Sequence, residues 1–125
     1  MRRAVQTVLQ QEDAGPATVH VSFLSSQRMR ALNRRTFSRD RATDVISFRL
    51  QHVGTLVGDV YLCPPVARRS ALTHGVPFRE ELVRLIVHGT LHVLGHDHPE
   101  AHDRATSPMW GRQELYVCDI LGRSP

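Results

Sequence analysis

Apolar and polar positions follow two rhythms along the chain. Val5, Val8 and Leu9 recur at helical spacing over residues 2 to 11, and the break Ala14-Gly15-Pro16 ends that helix. "ATVHVSFL" (17 to 24) changes to a period of two, placing Val19, Val21 and Phe23 on one face of a predicted strand. Ser25 or Ser26 then caps a helix running to about Thr36, with Met29 and Leu32 inward, joined by Thr36 or Phe37. After a charged loop over 37 to 42, "TDVISFRL" (43 to 50) and "TLVGDVYLC" (55 to 63) read as a hairpin with its turn near Gln51 to Gly54. Pro64-Pro65 stops the second strand and leads into a helix from Val66 to about Thr73. Gly75 and Pro77 precede the longest helix, Phe78 to Val93, whose apolar stripe is Phe78, Leu82, Leu85, Ile86 and Val93. A polar stretch from Pro99 to Pro108 separates it from a last amphipathic helix, about Met109 to Leu121, with Trp110, Leu115, Val117 or Cys118, and Leu121 available for docking.

Five helices and a few strands in 125 residues make one compact domain spanning 1 to 125, since the length supports a single core and is short for two. Hydrophobic and charged shares of 41% and 22% are those of an ordinary globular chain and name no function. Charge is more informative. All 16 basic residues are arginine, the formal net charge is +4, and Arg28, Arg30, Arg34, Arg35, Arg39 and Arg41 cluster within one stretch. Arginine forks suit phosphates, so the cluster fits an RNA-facing surface, with a solvated face as the alternative. Polar residues Gln6, Thr7, Gln10 and Gln11 interrupt the N-terminal segment, which excludes a signal-peptide core, and no stretch has the length of a membrane span. Cys63 and Cys118 lack C-x-x-C spacing and read as reduced residues of a cytoplasmic protein.

The chemistry is concentrated in "HGTLHVLGHDH" (88 to 98). His88 and His92 are four apart, so on a helix both imidazoles leave one face a turn apart and can share a metal. Gly95 can take a left-handed conformation that ends the helix and brings His98 back as a third ligand. Three neutral nitrogens leave a tetrahedral position open, the layout of a catalytic zinc, and an all-nitrogen set favours Zn2+ over other transition metals. The spacing H-x-x-x-H-x-x-G-x-x-H is that of metzincin proteases. Those enzymes need glutamate directly after the first histidine as the base in peptide hydrolysis, and here that residue is Gly89. Zinc chemistry at a phosphodiester remains open, with Asp97 either orienting a ligand imidazole, acting on bound water, or capping a turn. His96 and His102 exceed the three-ligand pattern.

With glycine in the protease glutamate's place, His88-Gly89-Thr90-Leu91-His92-Val93-Leu94-Gly95-His96-Asp97-His98 resembles the signature of the bacterial YbeY endoribonucleases. Leu32-Asn33, Thr43-Asp44-Val45-Ile46-Ser47-Phe48, Gly58-Asp59-Val60, Glu81-Leu82, and Met109 followed by Glu114 extend the resemblance over about residues 30 to 115. It implies an α/β fold of the α+β type: a single domain in which a small mixed sheet packs with about five helices, the metal site lying on the long penultimate helix. It also implies one zinc per chain held by His88, His92 and His98, and cleavage of RNA in ribosomal RNA maturation at the small-subunit 3′ end and in ribosome quality control. The implied partners are ribosomal RNA and the small ribosomal subunit, with ribosomal proteins or assembly GTPases in addition. Where the family loop commonly carries an active arginine and a proline, this chain has Phe37 and Ala42.

The leading expectation is therefore a zinc-dependent, single-strand-directed endoribonuclease in which Arg34, Arg35, Arg39 and Arg41 position the RNA backbone. The alternatives are a ribosome-binding assembly factor whose zinc chiefly holds the fold, and a zinc hydrolase of another bond, against which Gly89 argues.

Overall fold

The computed structural model describes residues 2 to 96 and 108 to 123. Elements run α1 (Arg2–Gln11), β1 (Ala17–Phe23), α2 (Ser26–Phe37), β2 (Val45–Val53), β3 (Thr55–Leu62), α3 (Pro64–His74), α4 (Phe78–Val93) and α5 (Pro108–Leu121). The order expected from periodicity is found, and the ends differ in instructive ways. α3 begins at Pro64, two residues earlier than expected, because prolines have no N–H to leave unsatisfied in a first turn. β2 continues through Gln51 to Val53 by way of a register shift between Arg49 and Gln51, so the hairpin turn shrinks to Gly54. Ser25 is the cap of α2, its side chain accepting from the Arg28 N–H.

The sheet has the order β1-β3-β2, with β3 central, parallel to β1 and antiparallel to β2. Alternation along β3 assigns its two faces. Leu56, Val60 and Leu62 point into the main core with α1 and α4, whereas Tyr61 joins Met29, Ile46 and Cys63 in a smaller core beneath α2. α4 is buried on nearly every side, packed among the sheet, α1, α3 and α5. The docking face of α5 is Met109, Gln113, Val117 and Ile120; Leu115 lies on the other side of the helix and is exposed, contrary to the expected stripe. Phe37, considered as an inward residue of α2, is 51% exposed.

Two glycines set how closely β3 and α4 approach. A Cβ on Gly58 would lie 2.3 Å from Cγ1 of Val93, and one on Gly89 would lie 2.7 Å from Cγ1 of Val60. Each valine thus fills the space over the other element's glycine, and the reciprocal lock fixes the rotation of α4 against the sheet. His88 and His92, each one residue before a member of that lock, are thereby turned to a defined side.

Candidate functional site: a histidine pair in an arginine-rimmed groove

A groove of about 760 Å³ opens where the exposed side of α4 meets the α2–β2 connection and α5. Glu81, Leu85, His88 and His92, spaced as one helix face, form the α4 wall. Phe37, Arg39, Arg41 and Asp44 form the opposite rim, and Met109, Trp110, Gln113 and Glu114 close one side from α5.

Local sequence holds that rim in place. Ser38 ends α2 in the left-handed region at φ 57, its N–H donating to the Arg34 carbonyl. The chain then folds back because Arg30 donates through two nitrogens to Asp40, at 2.8 Å each. Buried Asn33 donates to the Arg41 carbonyl at 3.0 Å. Of the four arginines expected to meet RNA, Arg39 and Arg41 line the groove; Arg34 lies 3.5 Å from Asp40, and neither it nor Arg35 is part of the lining.

The histidine rings stand edge to face with centroids 4.6 Å apart. A chain of hydrogen bonds determines which nitrogen of His88 carries the proton. Arg84 donates through Nε and Nη2 to both oxygens of Glu114, at 2.9 Å each. Both carboxylate oxygens of Glu114 thus serve as acceptors for the guanidinium fork. Glu114 Oε2 in turn accepts from Nε2 of Gln113 at 3.1 Å, which fixes the orientation of the amide and aims its Oε1 at Nδ1 of His88, 2.8 Å away. A carbonyl oxygen cannot donate, so His88 Nδ1 does, and the neutral ring carries its lone pair on Nε2. This is the arrangement by which metal-binding imidazoles are oriented.

Arg84 also donates to Glu80 at 3.1 Å, and Arg123 contacts the other Glu80 oxygen at 2.5 Å. Burial would raise the Glu80 carboxyl, but the hydrogen bonds from Arg123 and Arg84 outweigh it and hold the group below the ordinary carboxylate value. The bonds of Arg84 itself, to Glu114 first and then to Glu80, outweigh its burial and push the guanidinium to higher pKa.

At the C-terminus of α4 the His96 N–H donates to the Leu91 carbonyl and the Gly95 N–H to that of His92, with Gly95 at φ 100. Gly95 thus ends the helix as expected, and only glycine fits. Its conformation is strained for any side chain, and a Cβ would lie 2.6 Å from the guanidinium of Arg49, which donates to the Val93 carbonyl at 2.8 Å. His96, without an assigned role in the sequence, meets Glu12 through Nε2 at 2.5 Å. Glu12 also accepts from Arg112 at 2.7 Å and from the Tyr116 hydroxyl. Burial would raise this carboxyl too, yet the bonds from Tyr116, His96 and Arg112 hold it low. The turn after α4 is thereby tied to the end of α1 and to α5.

His98, Asp97 and His102 lie outside the described residues. Among the described residues no group of three His, Cys, Asp or Glu side chains is arranged to hold an ion. The histidine pair nonetheless fits one on its own chemistry, through the proximity of its rings and the tautomer imposed on His88. Cys63 and Cys118 are both free thiols. Sequence reasoning missed Gln113, although its signal was present: a polar residue in the middle of an inward stripe with Met109 and Val117. Glu81 carried the equivalent signal, sharing a helix face with His88 and His92.

The architecture defines a class, small α+β domains with a mixed sheet and one buried central helix that presents histidines to a groove. The solution structure of TM1509 from Thermotoga maritima is similar in fold, with a TM-score of 0.69 and 30% identity over 97% of this chain and 79% of that one. The family model described as "Endoribonuclease YbeY" matches residues 1 to 120, and the chain belongs to that family. Relatives carrying the same description include those of Thermotoga petrophila, 32% identical over 89% of this chain and 73% of its own, and Staphylococcus carnosus, 36% identical over 81% and 71%.

Proposed function

We propose that the protein is a metal-dependent endoribonuclease acting on single-stranded RNA, and that ribosomal RNA, at the small-subunit 3′ end during maturation and quality control, is its substrate. The observation that carries this reading is the oriented His88 beside His92 on the wall of a groove whose opposite rim bears Arg39 and Arg41. Membership of an endoribonuclease family supports the reaction type.

His88, His92 and His98 would hold one zinc ion per chain, which when bound acidifies a coordinated water and offsets charge on a phosphate. The chain's own residues supply the rest. Arg39 and Arg41 draw the phosphodiester backbone along the rim. Asn33 bonds the Arg41 backbone and Asp40 bonds Arg30, so the chain segment that carries those arginines is held before RNA arrives and the ordering cost of binding falls on their side chains. Gln113 prevents His88 from rotating or changing tautomer. Asp97 remains the proposed orienting or basic residue beside His98. Gly89, packed against Val60, leaves no room for the glutamate that peptide hydrolysis would require.

A cytoplasmic location in company with the small subunit, ribosomal proteins or assembly GTPases follows from this substrate; no helix among the described residues is long and apolar enough to cross a membrane. The test is cleavage of defined single-stranded and duplex RNAs by protein of measured metal content, with and without chelator. His92→Ala is expected to lose both zinc and cleavage. Metal-free protein that cuts at the wild-type rate would sink the mechanism. Restoration of ribosomal RNA processing in depleted cells by a folded, metal-free variant would favour an assembly factor with structural zinc, the reading to which Phe37 at the family's arginine position lends weight.

A further inference from the structure

Phe37 is the last residue of α2 and lines the groove with 51% of its surface exposed. A single exposed apolar ring is ordinary on a protein surface; the weight of this one comes from its place in a groove that Arg39 and Arg41 also line. The ring is also braced. It lies parallel to Phe48, within 3° and 6.2 Å between centroids, and Phe48 meets Tyr61 edge-on at 6.0 Å. At that separation the parallel rings are laterally offset, so Phe48 supports one flank of Phe37 and leaves ring surface uncovered. The support comes from β2 and β3, and the left-handed turn at Ser38 prevents the helix from continuing over the ring. Arg39 and Arg41 line the same groove.

We propose that the exposed surface of Phe37 is a stacking platform for one base of single-stranded RNA whose adjacent phosphates meet Arg39 and Arg41. This rests on the nucleic-acid reading of the groove and adds to it a subsite for the nucleobase. A flat braced ring in a groove that also carries two arginines matches a nucleotide, planar at one end and anionic at the other, better than an apolar peptide. Every base has a π face, so the subsite accepts all four and favours purines for their larger area. Duplex RNA, whose bases are already stacked, gains nothing from it.

The experiment uses full-length protein and a short phosphorothioate RNA that resists cutting, with 2-aminopurine placed at successive positions. One position is expected to be quenched on binding. Phe37→Leu is expected to weaken binding about fivefold to a hundredfold and abolish that quench, while Phe37→Trp retains both. Removing the base at the quenched position should weaken wild-type binding yet leave Phe37→Leu unchanged, a result that general loosening of the loop would not give. Thermal melts of each variant check folding. Phe37→Leu binding within twofold of wild type overturns the platform alone, whereas failure of the wild type to bind single-stranded RNA overturns the nucleic-acid reading together with it.

Discussion

Gly58→Ala tests whether the lock between β3 and α4 governs this molecule. The added Cβ would sit 2.3 and 2.8 Å from the two γ carbons of Val93 and 3.0 Å from the backbone carbonyl oxygen of Phe48. The valine is 1% exposed and has nowhere to turn, and the carbonyl belongs to the paired strand, so the cost falls at the upper end for overpacking, about 3 kcal/mol. Replacing glycine within a strand returns about 0.5–1 kcal/mol. The net loss is about 2 kcal/mol, or a melting temperature lower by roughly 10 °C for a domain of this size. Val93→Ala alone empties two methyl positions and costs about 2 kcal/mol. Because the new methyl occupies the volume those methyls leave, the double variant should be no less stable than either single one, against the loss of about 4 kcal/mol that additivity would give. Urea unfolding followed by circular dichroism measures all four corners of the cycle. Additive losses, or a neutral Gly58→Ala, would refute the idea that these atoms compete for one space.

Gln113→Leu should leave the fold intact and weaken zinc binding about 10- to 100-fold in calorimetric titration. Unchanged zinc affinity in the leucine variant would mean that the amide does not orient the ring. Acid should destabilise the protein through Glu80: its carboxyl is depressed in the folded state, so its stabilisation is complete above the unfolded value near 4.5 and is lost as pH falls from there through the lower folded value. Glu80→Gln should flatten the dependence of unfolding free energy on pH in that acid window, and an unaltered slope would remove Glu80 as its source.

Much of this molecule could be read from periodicity because its elements are locally consistent. α4 shows the apolar spacing of a central helix, and Ser25, Pro64 and Gly95 mark ends by their own backbone chemistry. The histidine pair was legible for the same reason, since four-residue spacing on a real helix leaves few arrangements. What escaped depends on contacts across the chain. Gln113 reads as one polar residue among many until α5 is docked, and Glu12 acquires its meaning from partners 84, 100 and 104 residues away. The inward face of α5 was misjudged because Leu115 and Trp110 outrank a glutamine on hydrophobicity, whereas that glutamine is buried by a histidine and a glutamate. Four of the clustered arginines, Arg34, Arg35, Arg39 and Arg41, looked equivalent in the sequence; the folded chain sets Arg39 and Arg41 along the groove and turns Arg34 to Asp40.

Synthesis of a polypeptide is directional, and α5 is made after every other element of this domain. Until it docks, the amide that sets the proton on His88 is absent, and the partners from α5 that hold Glu12 have yet to arrive. A nascent chain that has made its sheet and central helix still lacks one side of the groove. The arrival of α5 both closes that side and orients His88, so one segment joins the packing of the domain to the setting of the ring.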